Sequence, residues 1–397
     1  MAKKIMFLFV IPLYLMHFFG LILTPSSIAL IIVMVLTIVN WRQTPYNKTL
    51  IFYLLFVTCS IFSSYLNRGQ GILYTTLAST NLLSIFYFFT IANKCSQKEL
   101  EKSMYWLSIS YCIIYLLQFV LLKYGIQICK VVVSSEINNN RFRLPGSGWA
   151  SLACFYAMSK MLVNKQYKLR YIVLFALGML VIIFMAFRSL TVLLLLFLLF
   201  LMFRIKGMSF KSIRYVVALA VLFVGLSFIP FVNEYITYMV DKQKEGSETF
   251  NDESYIRFAS FQYYVNNYFN NIGEVIFGTG IPYGEKGSSY ARLHTQLRDY
   301  GLFYVDWGLV GLAWVVGIFT VLTMFYYSIK TYILKVPKEF YYLGVWMIFF
   351  LFSSILTMEF FRDGNFIVQA FVLALVYKCN LNYKYEENRN SNLLQSR

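Results

Sequence analysis

Charge is scarce in this chain. Of its 397 residues only 13% are Asp, Glu, Lys or Arg, 59% are apolar, and the mean hydropathy is +0.62. That balance excludes an ordinary soluble globular domain, in which about a quarter of the residues are charged. Histidine is scarcer still. The two present, His17 and His294, cannot form a metal site alone, and no HExxH run or Cys/His cluster accompanies them. The six cysteines (Cys59, Cys95, Cys112, Cys129, Cys154 and Cys379) lack any CxxC spacing and read as packing residues. Walker A and Rossmann glycine patterns are missing too.

What the sequence does have is apolar runs of near twenty residues, as roughly 30 Å of hydrocarbon requires. Twelve spans are expected at 5–23, 28–41, 49–65, 71–92, 104–122, 149–163, 171–187, 190–203, 215–232, 301–327, 341–358 and 366–377. The first and last pairs are the least distinct. Two lysines precede the first run as in a signal peptide, but no small-residue cleavage site follows, so it reads as a retained helix. The expected architecture is an all-α integral membrane protein, one polytopic unit over residues 1–397.

The distribution of charge orients it. With the N-terminus inside and the sides alternating, inner segments carry 22 Lys/Arg against 5 Asp/Glu, and outer segments carry 13 of each. The entire +17 excess therefore falls on one side, as the positive-inside rule describes, with both termini cytoplasmic. No folded basic domain remains to bind nucleic acid. The inner loops (42–48, 93–103, 164–170, 204–214 and 328–340) are too short for a nucleotide-binding domain. An enzyme built this way takes its bond energy from a substrate in the bilayer or at the outer face.

Two outer loops are substantial. In the first, 123–148, Arg141 and Arg143 precede the turn Leu144-Pro145-Gly146-Ser147-Gly148 at the mouth of the sixth span. They are either a basic mouth or anchors snorkelling to headgroups. Arg188, in the nearly loopless turn between the seventh and eighth spans, poses the same choice.

The second loop, 233–299, holds six Lys/Arg and nine Asp/Glu in 67 residues. Its acidic first part, 241–253, reads as surface. Residues 254–271 read as an amphipathic helix with a Phe258, Phe261, Val265, Phe269 stripe. On the adjoining face Arg257, Phe261, Tyr264 and Tyr268 suit a phosphate and a sugar; the plainer alternative is an interfacial helix. Gly278-Thr279-Gly280 reads as a tight turn or an anion-binding nest. In Arg292-Leu293-His294-Thr295-Gln296-Leu297-Arg298, helical spacing would put His294 and Arg298 on one face. Asp306, inside an apolar stretch, calls for a partner, Arg298 or Arg362.

Together the Arg143–Gly148 turn, Phe187-Arg188-Ser189-Leu190-Thr191, Arg257 ahead of Gly278-Thr279-Gly280, and His294 followed by Gly301 and Trp307-Gly308-Leu309-Val310-Gly311 carry a resemblance. The chain resembles the Wzy-type O-antigen and capsular polysaccharide polymerases, within the O-antigen ligase-like superfamily. It departs from many relatives in having Ser-Leu-Thr after Arg188. The resemblance implies a GT-C-like glycosyltransferase of the plasma membrane that polymerises undecaprenyl-diphosphate-linked oligosaccharides into a surface polysaccharide, without metal or cofactor. It also implies a partner protein controlling chain length. His294, Arg298 and Arg257 would act at the reacting centre, and Arg143, Arg188, Arg292, Arg141, Tyr264, Tyr268, Gly278 and Gly280 would bind the substrate. A lipid-linked oligosaccharide flippase and a ligase-type glycan transferase are the alternatives. The one-sided polar loops and the lack of an internal repeat disfavour the flippase.

Overall fold

A computed structural model describes residues 2–16, 18, 26–129, 132–133, 142–164, 169–185, 188–207, 237, 256–283 and 288–395. The expected span 215–232, the acidic stretch 241–253, His17 and Arg141 lie outside the described residues. Among the described residues the fold is all-α apart from a two-residue antiparallel pairing of Val132–Val133 with Phe142–Arg143. In chain order the helices are α1 (Ala2–Ile5), α2 (Ile11–Leu15), α3 (Ser26–Val39), α4 (Asn47–Arg68), α5 (Ile72–Ala78), α6 (Thr80–Leu83), α7 (Tyr87–Lys94), α8 (Gln97–Leu122) and α9 (Gly148–Asn164). They continue with α10 (Leu169–Phe184), α11 (Arg188–Lys206), α12 (Ile256–Asn266), α13 (Ile272–Phe277), α14 (Ser289–Asp299), α15 (Gly308–Val316), α16 (Ile318–Ile333), α17 (Tyr341–Leu356) and α18 (Asn365–Gln395).

Among the described residues four helices are long and apolar enough to cross a membrane: Asn47–Arg68, Gln97–Leu122, Ser189–Lys206 and Asn365–Arg389. Two bent pairs, Ile72–Ala78 with Thr80–Lys94 and Tyr304–Val316 with Ile318–Ile333, raise the number to six if each pair is one span. These helices suggest a multi-pass membrane protein. Their outward faces agree with that. α8 exposes Trp106, Ile113, Leu117 and Val120 along one side and buries Leu100, Met104, Leu107, Tyr111 and Tyr115 on the other. α11 likewise exposes Val192, Leu196, Phe200 and Phe203 at helical spacing. A stripe of large apolar side chains facing outward has a physical rationale in lipid and none in water. α8 starts where it does because Ser96 and Glu99 form a capping box, each side chain accepting the other's backbone N–H.

The tenth expected span is not one straight helix. The chain bends by 119° between Val316 and Ile318, at Gly317, whose φ is +87°. The left-handed backbone is open to glycine without strain, and a Cβ here would meet the Phe277 carbonyl carbon at 2.6 Å. An apolar sequence hides this break, because Val, Gly and Ile continue the hydropathy run across it. The fourth expected span is also broken, by 61° at Ser79.

α18, among the least distinct spans in the sequence, forms the centre of the bundle. Ile367, Val368, Phe371, Val372, Leu375 and Val376 are all fully buried, as are the polar Asn365 and Gln369. Gln369 is satisfied by the Tyr327 hydroxyl at 2.6 Å and the Phe360 carbonyl at 3.1 Å. The cysteines are all free and five are buried, as packing residues would be.

Segments expected on one side of a membrane bond to one another. At one end Lys160 pairs with Glu101 at 2.6 Å and Glu339 at 3.4 Å, the Tyr46 and Thr331 hydroxyls meet at 3.1 Å, and Asn380 donates to the Lys335 carbonyl at 2.8 Å. At the other end Gln70 donates to the Ile281 carbonyl at 2.9 Å, Gly146 N–H to the Asp363 carbonyl at 2.7 Å, and Ser147 to Glu359 at 2.8 Å. The candidate site belongs to this second end.

Candidate functional site

α14 is helical as the spacing predicts. Ser288 caps its start by accepting the Ala291 N–H. One face of α14 presents Tyr290, His294 and Leu297 to α12 and to the bend at Gly317. His294 Nε2 lies 2.9 Å from the Tyr268 hydroxyl. That hydroxyl is 3.0 Å from Thr279 Oγ1 and 3.0 Å from the Tyr290 hydroxyl. Tyr290 in turn donates toward Thr279 at 2.8 Å and the Gly280 carbonyl at 2.8 Å. Edge-on contacts with the rings of Tyr268, Tyr290 and Tyr304 surround the imidazole.

Beneath this cluster lies Arg68, the last residue of α4. Its guanidinium sits 4.9 Å from the centroid of the Tyr268 ring and 5.7 Å from that of Tyr290. Nη2 pairs with Glu274 Oε2 at 2.6 Å and also donates to the Tyr268 carbonyl. Glu274 is fully buried and additionally accepts the Asn270 N–H at 2.7 Å. Burial, reinforced by the Arg68 charge, lowers the His294 pKa to about 4, so the ring is neutral at physiological pH. Burial raises the Tyr268 and Tyr290 hydroxyls above their ordinary value, so both stay protonated.

Tyr264 and Tyr268 do not present their rings for stacking on a sugar. Both are buried, and Tyr264 stacks on Trp314 with ring centroids 4.7 Å apart and planes 8° from parallel. Its hydroxyl donates to the Leu302 carbonyl at 3.3 Å, so the inward pose satisfies ring and tip together. The face with Phe258, Phe261 and Val265 is the exposed one. Gly278 and Gly280 are likewise structural rather than an anion nest. The Gly278, Thr279 and Gly280 N–H groups already donate to the Glu274, Trp314 and Val315 carbonyls at 2.9, 3.1 and 2.8 Å. Their positive φ values, 84° and 79°, let the turn lie against Val315, Gly317 and Ser64.

A second group gathers charge. Asp306, exposed in the turn Tyr304–Trp307, interacts electrostatically with Arg257 at the start of α12 and Arg143 on the short β pairing. The expected pairing of Asp306 with Arg362 is replaced by another. Arg362 instead pairs with Glu359, three residues earlier, at 2.9 Å. Arg292 and Arg298 are exposed on α14, and Arg298 makes no ion pair among the described residues. Arg188 opens α11.

Arg68, Glu274, Thr279 and Tyr290 were not singled out by sequence. Arg68 carried one available signal, a cation at a helix end on the side poor in net positive charge. No known protein family matches the chain, and no curated protein matches it.

Proposed function

We propose that the protein is a GT-C-like, twelve-span membrane glycosyltransferase that polymerises undecaprenyl-diphosphate-linked oligosaccharide repeat units into a surface polysaccharide at the outer face of the plasma membrane. One observation carries the reading: Arg143 and Arg257, from two separate loops, act on the same carboxylate, Asp306, at the end of the bundle that holds His294. Two guanidinium groups, one exposed and one half-buried, suit a departing diphosphate, which they bind in a bidentate manner and whose developing charge they neutralise.

In the proposed reaction a hydroxyl of one lipid-linked unit attacks the anomeric carbon of another. A new C–O bond forms as the C–O bond to the diphosphate breaks. The neutral imidazole of His294, a weak base at its lowered pKa, accepts a hydrogen bond from that hydroxyl and orients it; the proton passes on to water, and the lipid diphosphate departs with both bonding electrons. No nucleotide takes part, in keeping with the short inner loops. Among the described residues, segments expected on the inner side bond to one another and those expected on the outer side do likewise, in keeping with the alternation of sides read from the sequence.

The test is to supply purified protein, reconstituted in lipid, with a defined lipid-diphosphate-linked repeat unit. A ladder of products, lost in Arg257→Ala, supports the proposal. Transfer to a different acceptor without a ladder would make the protein a ligase. An unreacted substrate that has changed leaflet would make it a transporter.

A further inference from the structure

We infer that the hydroxyl cluster of Tyr268, Thr279 and Tyr290 holds His294 as its Nε2–H tautomer, so that Nδ1 is the open acceptor of the site and Tyr268 is its positioning residue. The argument is a count of protons. Three hydroxyls carry three protons, and two of the surrounding atoms, the Gly280 and Trp314 carbonyl oxygens, can only accept.

Tyr290 lies 2.8 Å from the Gly280 carbonyl and Thr279 Oγ1 lies 3.3 Å from the Trp314 carbonyl. With those two protons placed, the Tyr268 proton remains. If it goes to Nε2, the Tyr268 oxygen donates outward and neither of its two hydroxyl contacts, each 3.0 Å long, has a donor. If Nε2 carries its own proton and donates to Tyr268, the Tyr268 proton is free for Tyr290 or Thr279. The second arrangement makes one more hydrogen bond among buried groups, each of which is costly to leave unmade. An imidazolium is disfavoured by the Arg68 guanidinium, which lies across the Tyr268 and Tyr290 rings from it.

Nδ1 then holds the lone pair. It has no hydrogen-bond partner among the described residues, so it is the ring nitrogen left to accept from a bound group. A ring nitrogen in that state accepts a hydrogen bond from a hydroxyl. That the hydroxyl belongs to an incoming sugar rests on the function proposed above; the tautomer itself does not.

The chain has two histidines, so a His17→Gln protein labelled with 15N-histidine and reconstituted in lipid reports on one imidazole. At neutral pH, without substrate, we expect a protonated Nε2 and a bare Nδ1. In Tyr268→Phe, which removes the acceptor oxygen, we expect the two nitrogens to shift toward averaged tautomers. A bare Nε2, or an imidazolium, in the parent protein would falsify the assignment. That measurement stands even where Tyr268→Phe does not fold. A single fixed tautomer persisting in folded Tyr268→Phe removes the positioning role. Because no substrate is present, failure of polymerisation and failure of the tautomer assignment are separate results.

Discussion

Arg68 and Glu274, 206 residues apart in sequence, form a buried ion pair that fastens the end of α4 to the segment preceding the His294 cluster. The pair also fixes the Tyr268 backbone, since the same guanidinium nitrogen donates to that carbonyl. Removing one partner of such a pair strands a charge in a place without water.

Arg68→Met is therefore expected to destabilise the protein by about 3–5 kcal/mol. The double variant Arg68→Met, Glu274→Gln should recover most of that loss, because no uncompensated charge remains. Thermal unfolding in detergent checks both. A single variant as stable as the parent would show that the carboxylate is not held as described.

The bend at Gly317 predicts a sharp contrast among glycines. Gly317→Ala would place a Cβ 2.6 Å from the Phe277 carbonyl carbon, and Gly278→Ala one 2.4 Å from the Gly317 nitrogen. Backbone on both sides cannot yield, so both variants should fail to accumulate as folded protein. Gly125 also has a positive φ, 71°, but nothing lies within 4 Å of its added Cβ. Gly125→Ala should cost only about 1–2 kcal/mol. Yield and monodispersity after purification separate the cases.

Acid should weaken the His294 cluster in a defined window. The folded-state pKa, about 4, lies below the ordinary value of 6.5, so the unfolded chain binds the proton more readily. This contribution to stability is complete above about pH 6.5 and is lost as the pH falls toward 4. Arg68 is the charged group facing the ring, and Tyr268, Tyr290 and Tyr304 are the titratable ones. Between pH 7 and pH 5 the loss should be on the order of 2 kcal/mol in the parent. His294→Gln should lack it, which parallel melting curves would reveal.

Arg143 and Arg257 should behave as functional rather than structural residues. Arg257 is exposed and Arg143 half-buried, so replacing either by Ala should change stability by less than about 1 kcal/mol. Polymer formation should nevertheless fall at least about tenfold, the effect of losing one strong charge-assisted contact. Arg257→Lys should restore only part of it, because an ammonium cannot make the paired contact. Full activity in both alanine variants would remove these residues from the site.

Much of this was legible in the residues. Helical spacing placed His294 on α14 with Arg292 and Arg298, and the polarity of 233–299 marked the end of the bundle where the cluster forms. Period alone could not say which way α12 turns. Tyr264 and Tyr268 lie inward because Trp314 and the Leu302 and Thr279 partners receive both rings and hydroxyls, contacts made only after folding. Arg68 was invisible as a site residue for the same reason, its partner lying far along the chain. The glycine nest failed as a reading because sequence shows that an amide can point at an anion, and not that a neighbouring carbonyl already receives it.

The burial of α18 has a consequence for biogenesis. Every other described helix precedes it in the chain, so each is synthesised before the element at the centre of the bundle exists. Until α18 arrives, the Tyr327 hydroxyl has no Gln369 to meet, and the Ser147 and Gly148 corner lacks Asn365. Packing of the bundle around α18 is then a late step, and the corner formed by Ser147 and Gly148 is completed with it.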